Sequence, residues 1–228
     1  MNKPGFIFLM VIMLFQSITT VKAQGFDVGS DFVSSYIWRG QNLGGASVQP
    51  WMEFTKGDFT VGTWSSVDLQ ERDNTELDLY IDYSLSDFKI TFIDYFFDWT
   101  NVPYFEDWKD NHCGEIILQY DFSDLVPITL IWGTFVYNDE DYSSYAELAW
   151  SFKSGGTDCT LMAGFTPWRG YYADRPSLVN VAIKVSKNIQ IGDFSLPVFG
   201  SFAINPVKAD LPKLFNQDGA WFVFGLSL

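Results

Sequence analysis

The chain has 228 residues, 47% of them hydrophobic and 18% aromatic, and its 28 Asp and Glu outweigh 14 Lys and Arg to give a formal charge of −14. That acidity argues against nucleic acid as a partner, because a negative surface repels phosphate backbones and draws in cations. After residue 23 no run reaches the ~18 consecutive apolar residues that a membrane helix requires.

The first 23 residues read as a cleaved secretory signal peptide: Lys3, an apolar stretch from Gly5 to Phe15, then Val21-Lys22-Ala23 before Gln24. The apolar part is too short to span a bilayer as a helix. Loss of Lys3 and Lys22 takes the formal charge from −14 to −16. Residues 24–228 are expected to form one domain.

Beyond Gln24 the pattern has period two. In 74–85, Leu77, Leu79, Ile81, Tyr83 and Leu85 share one face, while Glu76, Asp78, Tyr80, Asp82 and Ser84 share the other. Most such segments have the ~9–11 residues that a tilted strand needs to cross hydrocarbon. The pattern predicts about twelve strands, at 26–39, 47–56, 58–69, 74–85, 87–99, 112–122, 128–138, 143–153, 158–168, 177–187, 192–205 and 218–228.

The connections alternate strictly in length. Short turns at 56–58, 86–87, 123–127, 154–157 and 188–191 interleave with longer loops at 41–46, 70–73, 101–111, 139–142, 169–176 and 206–217. That order fits an all-β, transmembrane, antiparallel up-and-down barrel with short periplasmic turns, longer extracellular loops and both termini in the periplasm. Parity sends Val179, Val181, Ile183 and Val185 to lipid, with Asn180 and Lys184 inward. Segments 87–99 and 127–138 are apolar on both faces, which predicts an internal plug, a bulge or an apolar patch.

Parity also assigns candidate site residues. The lumen receives Asp31, Glu53, Asp68, Glu76, Asp78, Asp82, Glu115, Asp121 and Glu147, against the bases Arg39, Lys89 and Lys184. In an open, wet lumen these acids favour cations; in a closed barrel they pair with the bases and with Tyr or Ser hydroxyls. Twelve strands lie between ~8, which side chains fill, and ~16, which enclose a channel, so strand number leaves both readings open. Tyr36, Trp38, Trp51, Trp99 and Trp168 at one level, and Tyr83, Trp150 and Trp221 at the other, are expected as interfacial girdles.

Cys113 and Cys159 fall at opposite ends of their strands, a bilayer thickness apart, and are expected to be free thiols. His112, with Asp110, Asn111 and Asp98 nearby, reads as a solvated rim residue rather than a catalytic base. The acidic clusters 139–141 and Asp107 with Asp110 lack the glycine and ligand spacing of a calcium loop. No catalytic residue, metal set or cofactor is expected.

The segment Ser34-Ser35-Tyr36-Ile37-Trp38-Arg39-Gly40-Gln41, followed by Gln49-Pro50 and closing on the aromatic strand from Trp221 to Leu228, resembles the TorF-like porin family of Gram-negative outer-membrane proteins. The shared features are length, a Tyr-x-x-Arg-Gly signature and the final aromatic strand. Leu228 departs from the phenylalanine common in signals read by the barrel-assembly machinery. The resemblance implies a small porin in outer-membrane lipid with no agreed substrate. The resulting expectation is a passive channel for small solutes with modest cation preference. The alternatives are a structural or adhesion barrel whose loops bind a surface partner, and a soluble exported glycan-binding β-sandwich.

Overall fold

A computed structural model describes residues 24–71, 74–97, 102–106, 108–122, 125–207 and 219–228. The signal-peptide assignment and Trp99 and Asp98 lie outside these residues, as does most of the 206–217 loop.

The strands are β1 (Gly25–Val33), β2 (Tyr36–Trp38), β3 (Gln41–Gly44), β4 (Ser47–Lys56), β5 (Phe59–Asp68), β6 (Thr75–Leu85), β7 (Phe88–Phe97), β8 (His112–Asp121), β9 (Ile128–Tyr137), β10 (Ser144–Ser154), β11 (Thr157–Thr166), β12 (Ser177–Ile191), β13 (Phe194–Asn205) and β14 (Gly219–Ser227). One short helix, α1 (Trp108–Asn111), precedes β8. Twelve of the strands close a single antiparallel barrel, in which β1 pairs with both β4 and β14. The seam with β14 is brief, Asp31↔Ser227 to Val33↔Gly225, and backbone bonds between Ser30 and Leu228 extend it.

The outer wall is apolar. Leu79 and Ile81 stand 40% and 50% exposed, with Phe92, Leu118, Leu148, Val181 and Phe222 in the same outward set. A sandwich would bury that face in a dry core; the closed cylinder presents it outward, as a barrel wall in lipid must. Both cysteines are free. Short turns gather at one rim, here the turn rim, together with the start of β1 and the end of β14, and long connections gather at the other, the loop rim.

Four departures from the expected pattern have local causes. The predicted first strand stops at Val33, and β2 and β3 form a separate hairpin. Next, a bulge between Gly164 and Phe165 sets Gly164 against Asn180 and Phe165 against Leu178. Leu178 therefore faces out and Val179, expected in lipid, is fully buried inward. A second bulge, at Gly114/Glu115 against Tyr137 and Phe135, lies in one of the segments that are apolar on both faces. Finally, the turn expected at 188–191 moves to Gly192-Asp193, because residues 188–191 alternate well enough to pair with 194–197 and Gly192 supplies the positive φ of 61°.

Candidate functional site

The β2–β3 hairpin folds into the barrel. Its turn is Arg39-Gly40, with φ of 48° and 75°, between the paired residues Trp38 and Gln41. Two positive φ values in a two-residue loop make a type I′ turn, which suits strand twist but normally takes Asn and Gly. Arginine here delivers a guanidinium to the tip. Gly40 is required on a second ground: a Cβ would collide with the Val179 backbone oxygen.

At the tip, Arg39 makes a forked pair with Glu115, 2.6 Å from Nη1 to Oε1 and 3.1 Å from Nη2 to Oε2. Glu115 is 0% exposed. Arg39 also donates to the Tyr172 hydroxyl, and Tyr95 donates to Glu115 at 2.7 Å. The guanidinium lies 4.4 Å from the Trp38 ring centre and 4.7 Å from that of Tyr145. Gly133 opposite leaves the space this pair occupies, since a Cβ would strike Glu115 and crowd Arg39. Next to it, Tyr145 donates to Glu147, which also accepts from Asn180 at 3.3 Å.

This layer divides the lumen. On its loop-rim side is a vestibule of about 610 Å³ bounded by Trp38, Glu76, Tyr95, Phe135, Asp139 and Tyr171, among others. On the turn-rim side a cavity of about 360 Å³ is lined by Asp31, Arg39, Glu147, Asn180 and Lys184, among others. Burial raises the Tyr171 hydroxyl above its ordinary range, and the Glu76 carboxylate adds to the shift, so this loop tyrosine stays neutral.

The other sequence-selected acids and bases are distributed as follows. Glu76 and Asp78 are buried on the lumenal face of β6. Glu53 accepts from Tyr80, and Asp82 from Thr91 with Lys89 3.8 Å away. Lys184 sits 4.3 Å over the Phe199 ring. Asp121 lies half-buried at the turn-rim end of β8. Asp68 is a staple for the loop rim rather than a free lumenal charge: it accepts backbone amides of Gly45, Gln70 and Glu71 at 2.6, 2.7 and 3.1 Å.

Among the aromatics, Tyr83 and Trp150 lie on the outer wall near the turn rim, where they pair with Phe59 and Phe152, and Trp168 packs on Trp132 near the loop rim. The remaining described ones face inward. Tyr36 and Trp38 belong to the plug hairpin, Tyr36 beside Trp64 and Trp38 against Tyr95. Trp51 pairs with Gly29 and shares parity with Glu53, which makes it lumenal. Trp221 has the parity of buried Val223, not that of exposed Phe222 and Phe224, and it starts β14 at the loop rim.

His112 is not solvated. It stacks between Phe96 and Trp108 on the outer wall, with Nδ1 2.9 Å from Asp94 and Nε2 2.9 Å from the Tyr104 carbonyl. Both ring nitrogens are engaged, so the ring works as a latch that holds α1 and Tyr104 over the wall. Burial raises the Tyr104 hydroxyl above its ordinary value, and donation to Asp94 raises it further.

The residues that complete the dividing layer and were not selected from sequence are Tyr95, Phe135, Tyr171 and Tyr172. Their signals were the two strands apolar on both faces and the paired tyrosines in a predicted loop. Fold and site together define a closed twelve-stranded barrel with an internally occluded lumen. Compared with family models and with curated proteins, the chain matches none.

Proposed function

We propose that the chain is a small outer-membrane barrel of the porin type, similar to the TorF-like family, that conducts small cations when its inward hairpin yields. The exposed apolar wall and the rims of unequal loop length support the membrane setting. The observation that carries the gated reading is the Arg39–Glu115 pair, which ties the hairpin tip to β8 in mid-lumen. A filled lumen of this kind is a closed state. Passage requires the hairpin to shift, and the acids of the vestibule then favour cations over anions at the entrance. The reading needs no catalytic chemistry.

The test is single-channel recording in planar bilayers, on protein whose folding is checked by the mobility difference between boiled and unboiled samples. The wild type should show few conductance steps, whereas Arg39→Ala and Glu115→Gln should show frequent, cation-preferring ones. Large steady steps in the wild type, anion preference, or silence in both folded variants would overturn the reading.

A further inference from the structure

The vestibule is built from two kinds of surface that serve the same class of ligand. Four aromatic rings form a closed circuit: Trp38 to Tyr95 at 5.8 Å, Tyr95 to Phe135 at 5.9 Å, Phe135 to Tyr171 at 6.1 Å and Tyr171 back to Trp38 at 6.5 Å, centre to centre. All four border the cavity of about 610 Å³. They come from the plug hairpin, β7, β9 and the loop after β11, so tertiary folding alone assembles them. Neighbouring rings are inclined to one another by 52° to 67°, so none of the four pairs is stacked.

Among the described residues the charged part of the lining is wholly acidic: Glu76, Asp110, Asp139, Glu140 and Asp141 border the cavity, and no described Lys or Arg does. The Arg39 guanidinium in the dividing layer is engaged by Glu115 and so does not neutralise them. A further observation is independent of that cluster. Asp78, 4% exposed, is the cross-strand partner of Tyr95, and its Oδ1 has no hydrogen-bond partner among the described residues. Asp78 does not itself border the cavity, but it lies directly across the strand pair from Tyr95, so a cation held against that ring adds a favourable charge to its surroundings.

We propose that the vestibule is a binding site for a small organic ammonium cation. Aromatic faces attract such a cation through their quadrupoles, and the surrounding acids supply long-range attraction. Methyl or methylene groups on the nitrogen fill the ring circuit, which strongly hydrated sodium or magnesium does not do. A phosphate on the same ligand is repelled by the acids, so the preferred ligand carries net positive charge.

The experiment is calorimetric titration of the folded barrel in dodecyl maltoside, where no conduction is involved, so that failure of the site and failure of the gated-channel reading are told apart. The probes are tetramethylammonium chloride and choline chloride, with sodium chloride at matched ionic strength, neopentyl alcohol as the uncharged analogue, and phosphocholine. Saturable binding of the first two, with the other three weak or silent, is the expected result. Tyr171→Leu should weaken it by about threefold to thirtyfold. Because Tyr171→Leu disturbs packing of the dividing layer, Asp139→Asn with Asp141→Asn at the mouth serves as a second variant and should weaken binding several-fold, more at low salt than at high. Equal binding of the neutral analogue, competition by sodium at equal strength, or unchanged affinity in both folded variants would overturn the proposal.

Discussion

The two halves of the lumen use the same residue types to opposite ends. Toward the loop rim, Glu76, Asp78 and Glu115 are buried among aromatic rings, and Glu115 is fully committed to Arg39 and Tyr95. Toward the turn rim, Asp82 meets Lys89 only at 3.8 Å, and Lys184 rests over Phe199 while still exposed to solvent. The difference follows from where the β2–β3 hairpin goes. It buries the carboxylates packed against it and leaves those nearer the turn rim open to solvent, so a charge of the first kind bears on stability, whereas one of the second tunes only the local field.

The comparison breaks most sharply at Arg39 and Glu115. Removing either partner strands a buried charge, and loss of about 3–5 kcal/mol is expected, read as a lower unfolding midpoint in denaturant with detergent present. Replacing both, as in Arg39→Met with Glu115→Leu, should cost less than either single change, since the stranded charge is gone. If the single variants unfold like the wild type, burial does not isolate this pair from solvent.

A smaller effect is expected at Gly40. Gly40→Ala forces a side chain into a φ of 75° and against the Val179 backbone, for a loss of about 1–3 kcal/mol. The same variant should raise channel opening, because the hairpin tip relieves the clash by backing out of the lumen. Unchanged conductance in a destabilised variant would separate strain from gating.

The smallest effect belongs to the turn-rim half and the surface. Lys89→Gln should change stability by under about 1 kcal/mol. Lys153→Gln, in a pair with Asp158 whose side chains are 82% and 61% exposed, should leave the unfolding midpoint where it is. A large loss at Lys89 would show that the two halves differ less than their burial implies.

Arg39 shows how the sequence and the fold divide the information. The sequence placed Arg39 at the end of a first strand, among the bases that lumenal acids meet if the barrel is closed. It did not name Glu115, 76 residues along, because the pairing depends on the hairpin turning inward rather than out. Trp51 and Trp221 show the converse: aromatic identity pointed to a girdle, but their own strand parity places them inside. Val179 shows the limit of parity itself, since a bulge of one residue reverses a face and period two carries no record of it.

The barrel was legible in the chain: about twelve segments of strand length, most of them alternating, their order and the inequality of the two rims, because strand periodicity and turn chemistry are local. The division of the lumen, the burial of particular acids and the four rings around the vestibule emerge from the folded chain alone. Those depend on loops folding inward to meet strands far away in the chain, and long-range packing of this kind leaves no period in the sequence from which to read it.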